Sequence, residues 1–432
     1  MILSANKNRV LLKSEFIRNT STLVSGTTIA QLIPILIQPV LRRFYTAEIF
    51  GIYAVYLSII GILYAIASLR YEQAIISPDD ENEACSIFAV AQLFNMIFSL
   101  LLFFVILIFK KSFLYFLNVN EDYSACILIA PAGIFLFNLQ QSINLWLVRK
   151  KAFAGVSKIK IVRRSTEGSF QLLFRYLKIP GGLLIGDILG HVTNIIYGFI
   201  QIVKRGFSIS GIRLTNLKVI IGKYSEYPKY NALTTFLNAF SLLVPVVFIN
   251  KYFGADKAGF YDLSRLLLLT PIALLAGALS NIMLQRVTEK SKKGQFFMNE
   301  IYFILAFGGI ISFIELVVLF FFGEQLFSFI FGSGWTFSGT LSKILMWPYM
   351  AYFFTISLSS TFIALQKIKI LSLYQAVNFI LIISLLLFTK LDFMNFIKAF
   401  AVLSVSGSIF FFFLLFREIM KYNRNKNLTS GN

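Results

Sequence analysis

The feature that most constrains this chain is a succession of apolar segments, each about 20 residues long, running from near one end to near the other. A helix of that length spans the hydrocarbon of a bilayer, and a lipid-exposed segment must satisfy all its backbone polar groups internally. Twelve such segments are read at 16–40, 50–76, 85–109, 123–148, 157–178, 182–203, 230–250, 259–284, 297–322, 341–365, 370–389 and 395–416. Hydrophobic residues make up 57% of the chain, against about 45–50% in soluble domains. The expectation is an all-α integral membrane protein with about 12 transmembrane helices. The fifth segment is the weakest, because KIKIVRRSTEGSFQLLF carries several basic residues before it turns apolar. Pro34, Pro39, Pro245 and Pro271 fall inside segments, where neighbouring helices or cavities must satisfy the freed backbone groups.

Charge sets the expected orientation. The chain carries 40 Lys+Arg against 20 Asp+Glu. The basic residues sit mostly in short loops between apolar segments, so they read as topology signals rather than as a nucleic-acid surface. One side collects Lys7, Arg9, Lys13 and Arg18, then Arg149, Lys150 and Lys151, then Lys204 to Lys229, then QRVTEKSKK and the C-terminal KYNRNK. That side is expected to be cytoplasmic, with both termini on it. SPDDENEA at 77–84 is acidic on the same side, an exception of little weight because acidic residues contribute little to orientation. The outer loops are short and leave no external domain for chemistry.

The longest polar interval, KRGFSISGIRLTNLKVIIGKYSEYPK, lies between the sixth and seventh segments. It reads as a basic amphipathic connector on the inner membrane surface, with Ile212, Leu214, Leu217, Ile220 and Ile221 as its apolar side. The expected organisation is a six-helix lobe over 1–203, a connector over 204–229, a second six-helix lobe over 230–416 and a cytoplasmic tail over 417–432.

The two lobes carry a repeat. SEFIRNTSTLVSGTTIAQLIP from Ser14 aligns without gaps on SEYPKYNALTTFLNAFSLLVP from Ser225. Ser14, Glu15, Phe16, Arg18 and Pro34 fall on Ser225, Glu226, Tyr227, Lys229 and Pro245. After each, a short loop leads to Gly51-Ile52-Tyr53 or Gly259-Phe260-Tyr261, which opens the next helix. Two six-helix units of the same orientation form a parallel pseudo-two-fold repeat, the architecture of transporters that work by alternating access.

Catalysis and metal binding find little material. There is one histidine, His191, and there are two cysteines, Cys85 and Cys126, too few for a hydrolytic triad or a metal cluster. Both cysteines start consecutive antiparallel segments, so they lie near opposite faces, unpaired, as small buried apolar residues. No catalytic residue, metal or cofactor is expected.

Several stretches carry a family resemblance. They are SGTTIAQLIPILIQPVLRRFYTAEIFGIYA in the first helix region, SLRYEQAI at the end of the second helix, and WLVRKKAF after the fourth. To these add the GLLIGDILG turn before the sixth helix and GFYDLSRLLLLTPIALLAGALSNIMLQRV in the eighth. Over nearly its whole length the chain resembles the Wzx-type O-antigen flippases, the polysaccharide branch of the multidrug/oligosaccharidyl-lipid/polysaccharide exporter superfamily. The glycine-and-basic signature of the major facilitators is missing from SPDDENEA. The resemblance implies two lobes in a V around a central cavity. It also implies flipping of undecaprenyl-pyrophosphate-linked O-antigen or other surface-polysaccharide units, from the cytoplasmic to the periplasmic leaflet of a bacterial inner membrane. The partners it implies are the lipid-linked oligosaccharide, membrane lipids and other polysaccharide-assembly proteins; no nucleic acid is implied. A proton or sodium gradient or the membrane potential would supply the drive.

Such cargo needs cations to hold its phosphates, and arginine's planar fork can bond two oxygens at once. Arg70 sits near the inner end of helix two, where a snorkelling or structurally paired side chain and a cavity cation are both open readings. Glu72, two positions on, would face elsewhere on a continuous helix and so could not be its partner. Arg265 either pairs with Asp262 at i, i+3 or lines the cavity, as the matching arginine of a related lipid-flippase branch does. Arg18 and Lys229, repeat-equivalent, either receive the pyrophosphate or anchor their helices at the headgroups. Arg163, Arg164 and Arg175 share that ambiguity, and the density of charge around them is expected to make part of helix five face water. Glu315 in ISFIELVVLFFF either sits neutral in lipid-like surroundings or is the ion-coupling candidate. Asp187 and His191 read as a local helix-end pair. Trp146, Trp335 and Trp347, near helix ends, fit interface anchoring.

Two rivals are weighed against this reading. A drug/cation antiporter of the same superfamily would want acidic and aromatic residues within the membrane, whereas the excess here is cationic. A membrane enzyme, such as a polysaccharide polymerase or acyltransferase, would want a large outer loop or a cluster of histidines and carboxylates.

Overall fold

The computed structural model describes residue 26, residues 28–212 and residues 217–430, and the regular elements among them are all helical. In chain order they are α1 (28–44), α2 (Ala47–Ala67), α3 (Glu81–Ile108), α4 (Lys110–Leu117), α5 (Ser124–Arg149), α6 (Phe153–Tyr176), α7 (Gly182–Val203), α8 (Leu217–Lys223), α9 (Leu233–Phe253), α10 (Ala255–Lys292), α11 (Met298–Phe331), α12 (Thr336–Ala364), α13 (Ile368–Ile383) and α14 (Phe393–Ser430). Nine helices among the described residues are long and apolar enough to cross a membrane. The described part of α1, the charged α6 and the serine-rich α12 are not among the nine. Lipid-type surface is plain on α3 and α11, where Leu101, Phe104, Ile108, Phe313, Phe320 and Phe321 are exposed. Each expected segment from the second to the twelfth overlaps a helix, the second running past the end of α2; of the first, 16–40, the structure describes residue 26 and residues 28–40, and α14 continues past 416 to Ser430.

Chain contacts divide the protein into two compact units. One holds residues up to Thr46 together with Ile52–Ala239, and the other holds Ala47–Gly51 and Phe240 onwards. In the first unit, α6 and α7 make the closest pairing. GLLIGDILG is no turn: it forms the first two turns of α7. Its glycines, every fourth residue, form a ridge without side chains. A Cβ on Gly186 would lie 3.1 Å from the Gln171 nitrogen, and one on Gly190 would lie 3.1 Å from the Arg163 carbonyl oxygen. The contact of backbone on backbone therefore depends on those glycines. Asn194 Nδ2 adds a bond to the Ile159 carbonyl at 2.9 Å.

Helix α2 ends in a break. Leu69 and Arg70 both take left-handed φ, 52° and 62°, at a cost of about 1–2 kcal/mol each for residues with a Cβ. A 3₁₀ turn, Tyr71–Ile76, follows. The break overturns the helical geometry expected here, and Arg70 Nη1 lies 3.2 Å from Glu72 Oε1. Glu72 is fully buried and also accepts from Ser68 Oγ at 2.6 Å. Tyr71, buried, stacks on Phe94 at 5.5 Å and donates to the Ile221 carbonyl at 3.0 Å. That packing holds the strained turn in place.

The acidic loop acquires a structural reason. Asp80 caps α3 by accepting from the Asn82 and Glu83 amides, both at 3.2 Å. Arg149 donates to the carbonyls of Ile75, Pro78, Asp79 and Asp80. Lys150 pairs with Glu81, and Lys223 of α8 pairs with Glu83 at 2.5 Å. The connector's apolar side therefore packs inward: Ile220 joins a core of Tyr71, Cys85, Trp146 and Phe207, with Ile212, Leu217 and Ile221 against it. Leu214 lies outside the described residues. Cys85 and Cys126 are buried and unpaired, as read from the sequence.

The second unit takes the first turn of α2 onto α10. A Cβ on Gly51 would fall on the Ala255 carbonyl, and one on Gly259 on the Ala47 carbonyl. The repeat-equivalent glycines thus face each other's helix. Trp335 packs edge-on against Phe50 at 5.7 Å and Phe260 at 5.6 Å. Trp335 and Trp146 are both buried, so neither is an interface anchor; neighbouring aromatic rings cover them. Trp347 is exposed.

Candidate functional site

The charges that make α6 a poor lipid-facing helix gather on one side of it. Lys160, Arg163, Arg164, Glu167 and Gln171 recur at intervals of three and four, which places them along one stripe of a helix. That stripe borders a cavity of about 450 Å³ within the first unit. Lys160, Arg163 and Arg164 line it from α6, Gln140, Gln141 and Asn144 from α5, Gln31 from α1, and Gln73 from the turn after α2. Gln31 Oε1, Gln140 Oε1 and Asn144 Oδ1 are buried acceptors with no hydrogen-bond partner among the described residues. A buried acceptor left empty is costly, so each calls for a donor such as a hydroxyl or water.

Behind the cavity wall the arginines are held by carboxylates. Arg163 Nη2 lies 3.3 Å from Asp187 Oδ1 and 2.8 Å from His191 Nε2, both on α7. Because the arginine can only donate, His191 accepts at Nε2 and carries its proton on Nδ1. Asp187 Oδ2 accepts from Tyr56 at 3.4 Å. Arg164 Nη1 bonds Glu167 Oε2 at 2.8 Å, and Glu167 Oε1 accepts from Tyr53 at 3.4 Å. Gln171 donates to Tyr53 at 3.4 Å and to the Leu183 carbonyl at 3.0 Å. Phe137 of α5 covers His191 with ring centroids 5.8 Å apart. Three cations face two carboxylates, so with His191 neutral the cluster leans positive, and the positive side is the one on the cavity.

The other residues singled out in the sequence fall elsewhere. Arg70 is tied to Glu72 and lies near the Tyr64 ring, at 5.8 Å. Arg175 is exposed and lies over Tyr45 at 5.6 Å. Lys229 is exposed on a π-helical turn, Tyr227–Ala232. Arg265, in the second unit, is mostly buried and pairs with Asp262 at 2.9 Å. Glu315 is half-buried on α11 and makes no ion pair among the described residues. Arg18 lies outside the described residues. Asp187 and His191 do pair along α7, at 3.7 Å, but deep in the packing with Arg163 rather than at a helix end. Lys160, Glu167, the two tyrosines and the carboxamides were not among the residues read from the sequence. The spacing along α6 held the signal for Lys160 and Glu167.

The fold has known relatives. The chain matches, over 94% of its length and 90% of theirs, the lipid II flippase MurJ in an inward closed conformation, with a TM-score of 0.71 and 11% identity. It matches an inward-facing multidrug resistance MATE family transporter of the MOP superfamily with a TM-score of 0.63 and 13% identity, covering 93% and 95% of the two chains. A MOP superfamily transporter from Pyrococcus furiosus, described as having a binding pocket of reverse polarity, matches with a TM-score of 0.55 and 14% identity, covering 95% and 96%. At such identities the likeness establishes the fold alone, one this chain shares with those proteins. A comparison with curated proteins returns no match. The family described as polysaccharide biosynthesis protein matches residues 40–339. That span holds the whole α6–α7 cluster, and the chain is a multi-pass membrane protein of that polysaccharide biosynthesis family.

Proposed function

We propose that this chain flips a polyprenyl-diphosphate-linked saccharide across a membrane by alternating access, without covalent chemistry. The observation that carries the reading is the cavity wall, where Lys160, Arg163 and Arg164 stand beside carboxamides whose buried oxygens lack partners among the described residues. Guanidinium groups suit a diphosphate, and free carboxamide oxygens suit sugar hydroxyls. A cationic drug would meet repulsion at the same wall, which disfavours the antiporter alternative. The finer assignment is an undecaprenyl-linked O-antigen or other surface-polysaccharide unit, moved across a bacterial inner membrane with both termini cytoplasmic. The basic loops support that orientation. They put the end of α5 and the start of α6 on the cytoplasmic side, where cargo would load. Arg265 is the proposed cation of the second unit and Glu315 the proposed coupling carboxylate for a proton or sodium gradient.

The test is genetic. A deletion strain should accumulate lipid-linked repeat units on the inner leaflet and lose its surface polysaccharide. The wild-type gene should restore the ladder on a gel, and Arg164→Gln, at equal protein level, should not. A full ladder from the variant would refute the role of this cavity.

A further inference from the structure

Resting on the reading of the cavity as a diphosphate site, we propose that Glu167 is its built-in counter-ion: it occupies Arg164 while the cavity is empty and yields it when a phosphate arrives. The two arginines of the wall are held differently. Arg163 is gripped from the neighbouring helix by Asp187 and His191, and only 10% of its side chain is exposed. Arg164 is 35% exposed and, among the described residues, bonds Glu167 alone. It is therefore the guanidinium an incoming anion can address.

A carboxylate oxygen and a phosphate oxygen compete for the same N–H donors. Glu167 is itself anchored. Tyr53 donates to its second oxygen, and Gly190 leaves room for its Cβ against α7. When Arg164 turns to cargo, Glu167 thus stays in place with one oxygen satisfied, ready to take the guanidinium back. A carrier must hold its cargo firmly enough to load it and weakly enough to release it, as a conducting pore must with its ions. Here the carboxylate sets that compromise. Asp187 is unsuited to the part, because its side chain is 1% exposed and sits behind Arg163.

A merely structural i, i+3 pair would stabilise the helix slightly and leave ligand affinity alone, so affinity is the discriminating readout. The probe is farnesyl diphosphate, a short polyprenyl diphosphate. Its equilibrium binding to the full chain is measured in nanodiscs of zwitterionic lipid at fixed salt. Arg164→Gln should weaken binding. Glu167→Gln keeps the shape and an acceptor oxygen but drops the charge, and should tighten binding roughly tenfold while slowing both dissociation and flipping at saturating cargo. The double variant should bind like Arg164→Gln. If Glu167→Gln stays within about twofold of wild type while Arg164→Gln weakens binding, the counter-ion role is overturned and the cavity reading stands. If wild type and Arg164→Gln bind alike, the cavity reading itself fails. Should Glu167→Gln not give monodisperse protein, Glu167→Asp withdraws the charge by one methylene. Intermediate tightening is then expected, and unchanged affinity overturns the proposal.

Discussion

The first and second units each set an arginine beside a carboxylate three residues away, and the two pairs behave as opposites. In Arg164–Glu167 the arginine side chain is 35% exposed at the edge of a cavity; in Arg265–Asp262 it is 13% exposed and closed on its own helix. The spacing is the same. What differs is the surroundings. α6 is backed by a second ion pair that comes across from α7, whereas on α10 the buried Tyr261 places its hydroxyl 3.2 Å from that of the buried Tyr349 on α12. A pair can leave its cation addressable when neighbouring charges hold the rest of the wall.

The contrast breaks most readily at Asp187. Removing it strands Arg163 in the packing with only His191, a neutral acceptor. Asp187→Ala should lose about 3–5 kcal/mol of stability, read as a large fall in the melting temperature of detergent-purified protein. Asp262→Ala should lose less, because its pair with Arg265 lies along α10, whereas Asp187 joins α7 to α6. Equal losses would mean that the α6–α7 cluster is no network. The double change Asp187→Leu with Arg163→Met should recover most of the stability and none of the transport, since apolar residues of similar volume can replace a buried pair.

The glycine contacts come next. Gly190→Val would push a branched side chain against Glu167 and the Arg163 carbonyl, and Gly259→Val would push one against the Ala47 backbone. Each should cost about 1–3 kcal/mol by overpacking. The readouts should diverge. Gly190→Val spreads α6 from α7 and should also weaken farnesyl diphosphate binding, because it moves the wall that carries Arg164. Gly259→Val, in the other unit, should leave that binding at its wild-type value. Matching binding in the two variants would show that the α6–α7 spacing does not set the site.

Much of this frame could be read from residue order. Apolar segments of spanning length gave the helices, and the aligned Gly51 and Gly259 marked the openings of α2 and α10. The weakness of the fifth segment was the best clue to the site, since averaged hydropathy hides a stripe that the positions of Lys160, Arg163, Arg164 and Glu167 reveal. Other features were out of reach for physical reasons. The Arg70–Glu72 pair needs two successive non-glycine residues in the left-handed region, which local sequence disfavours and only the packing of Tyr71 enforces. The bond from Arg163 to Asp187 and His191 depends on how α6 and α7 register across a glycine ridge, a between-helix quantity. Trp146 and Trp335 stand near helix ends, as interface anchors do, but aromatic neighbours distant in sequence cover them.

The smallest effect belongs to an exposed carboxylate, which sets the baseline for the comparison. Asp392 precedes α14 and accepts from the Asn395 amide at 3.1 Å, and Asn395 Nδ2 donates to its other oxygen at 2.5 Å. These bonds, the backbone amide first, hold its carboxyl below the usual carboxylate range. A depressed pKa means that the cap is fully present above the ordinary carboxyl value and is lost only as pH falls through the lowered one. Asp392→Ala should therefore speed hydrogen exchange in the first turn of α14 at neutral pH, with no change in the rest of that helix or in ligand binding. In the wild type the same turn should loosen only in strong acid. Exchange that is unaltered in the variant would mean that α14 is held by its packing alone. Exchange that rises along the whole helix would mean that an exposed cap matters as much here as a buried pair does between α6 and α7.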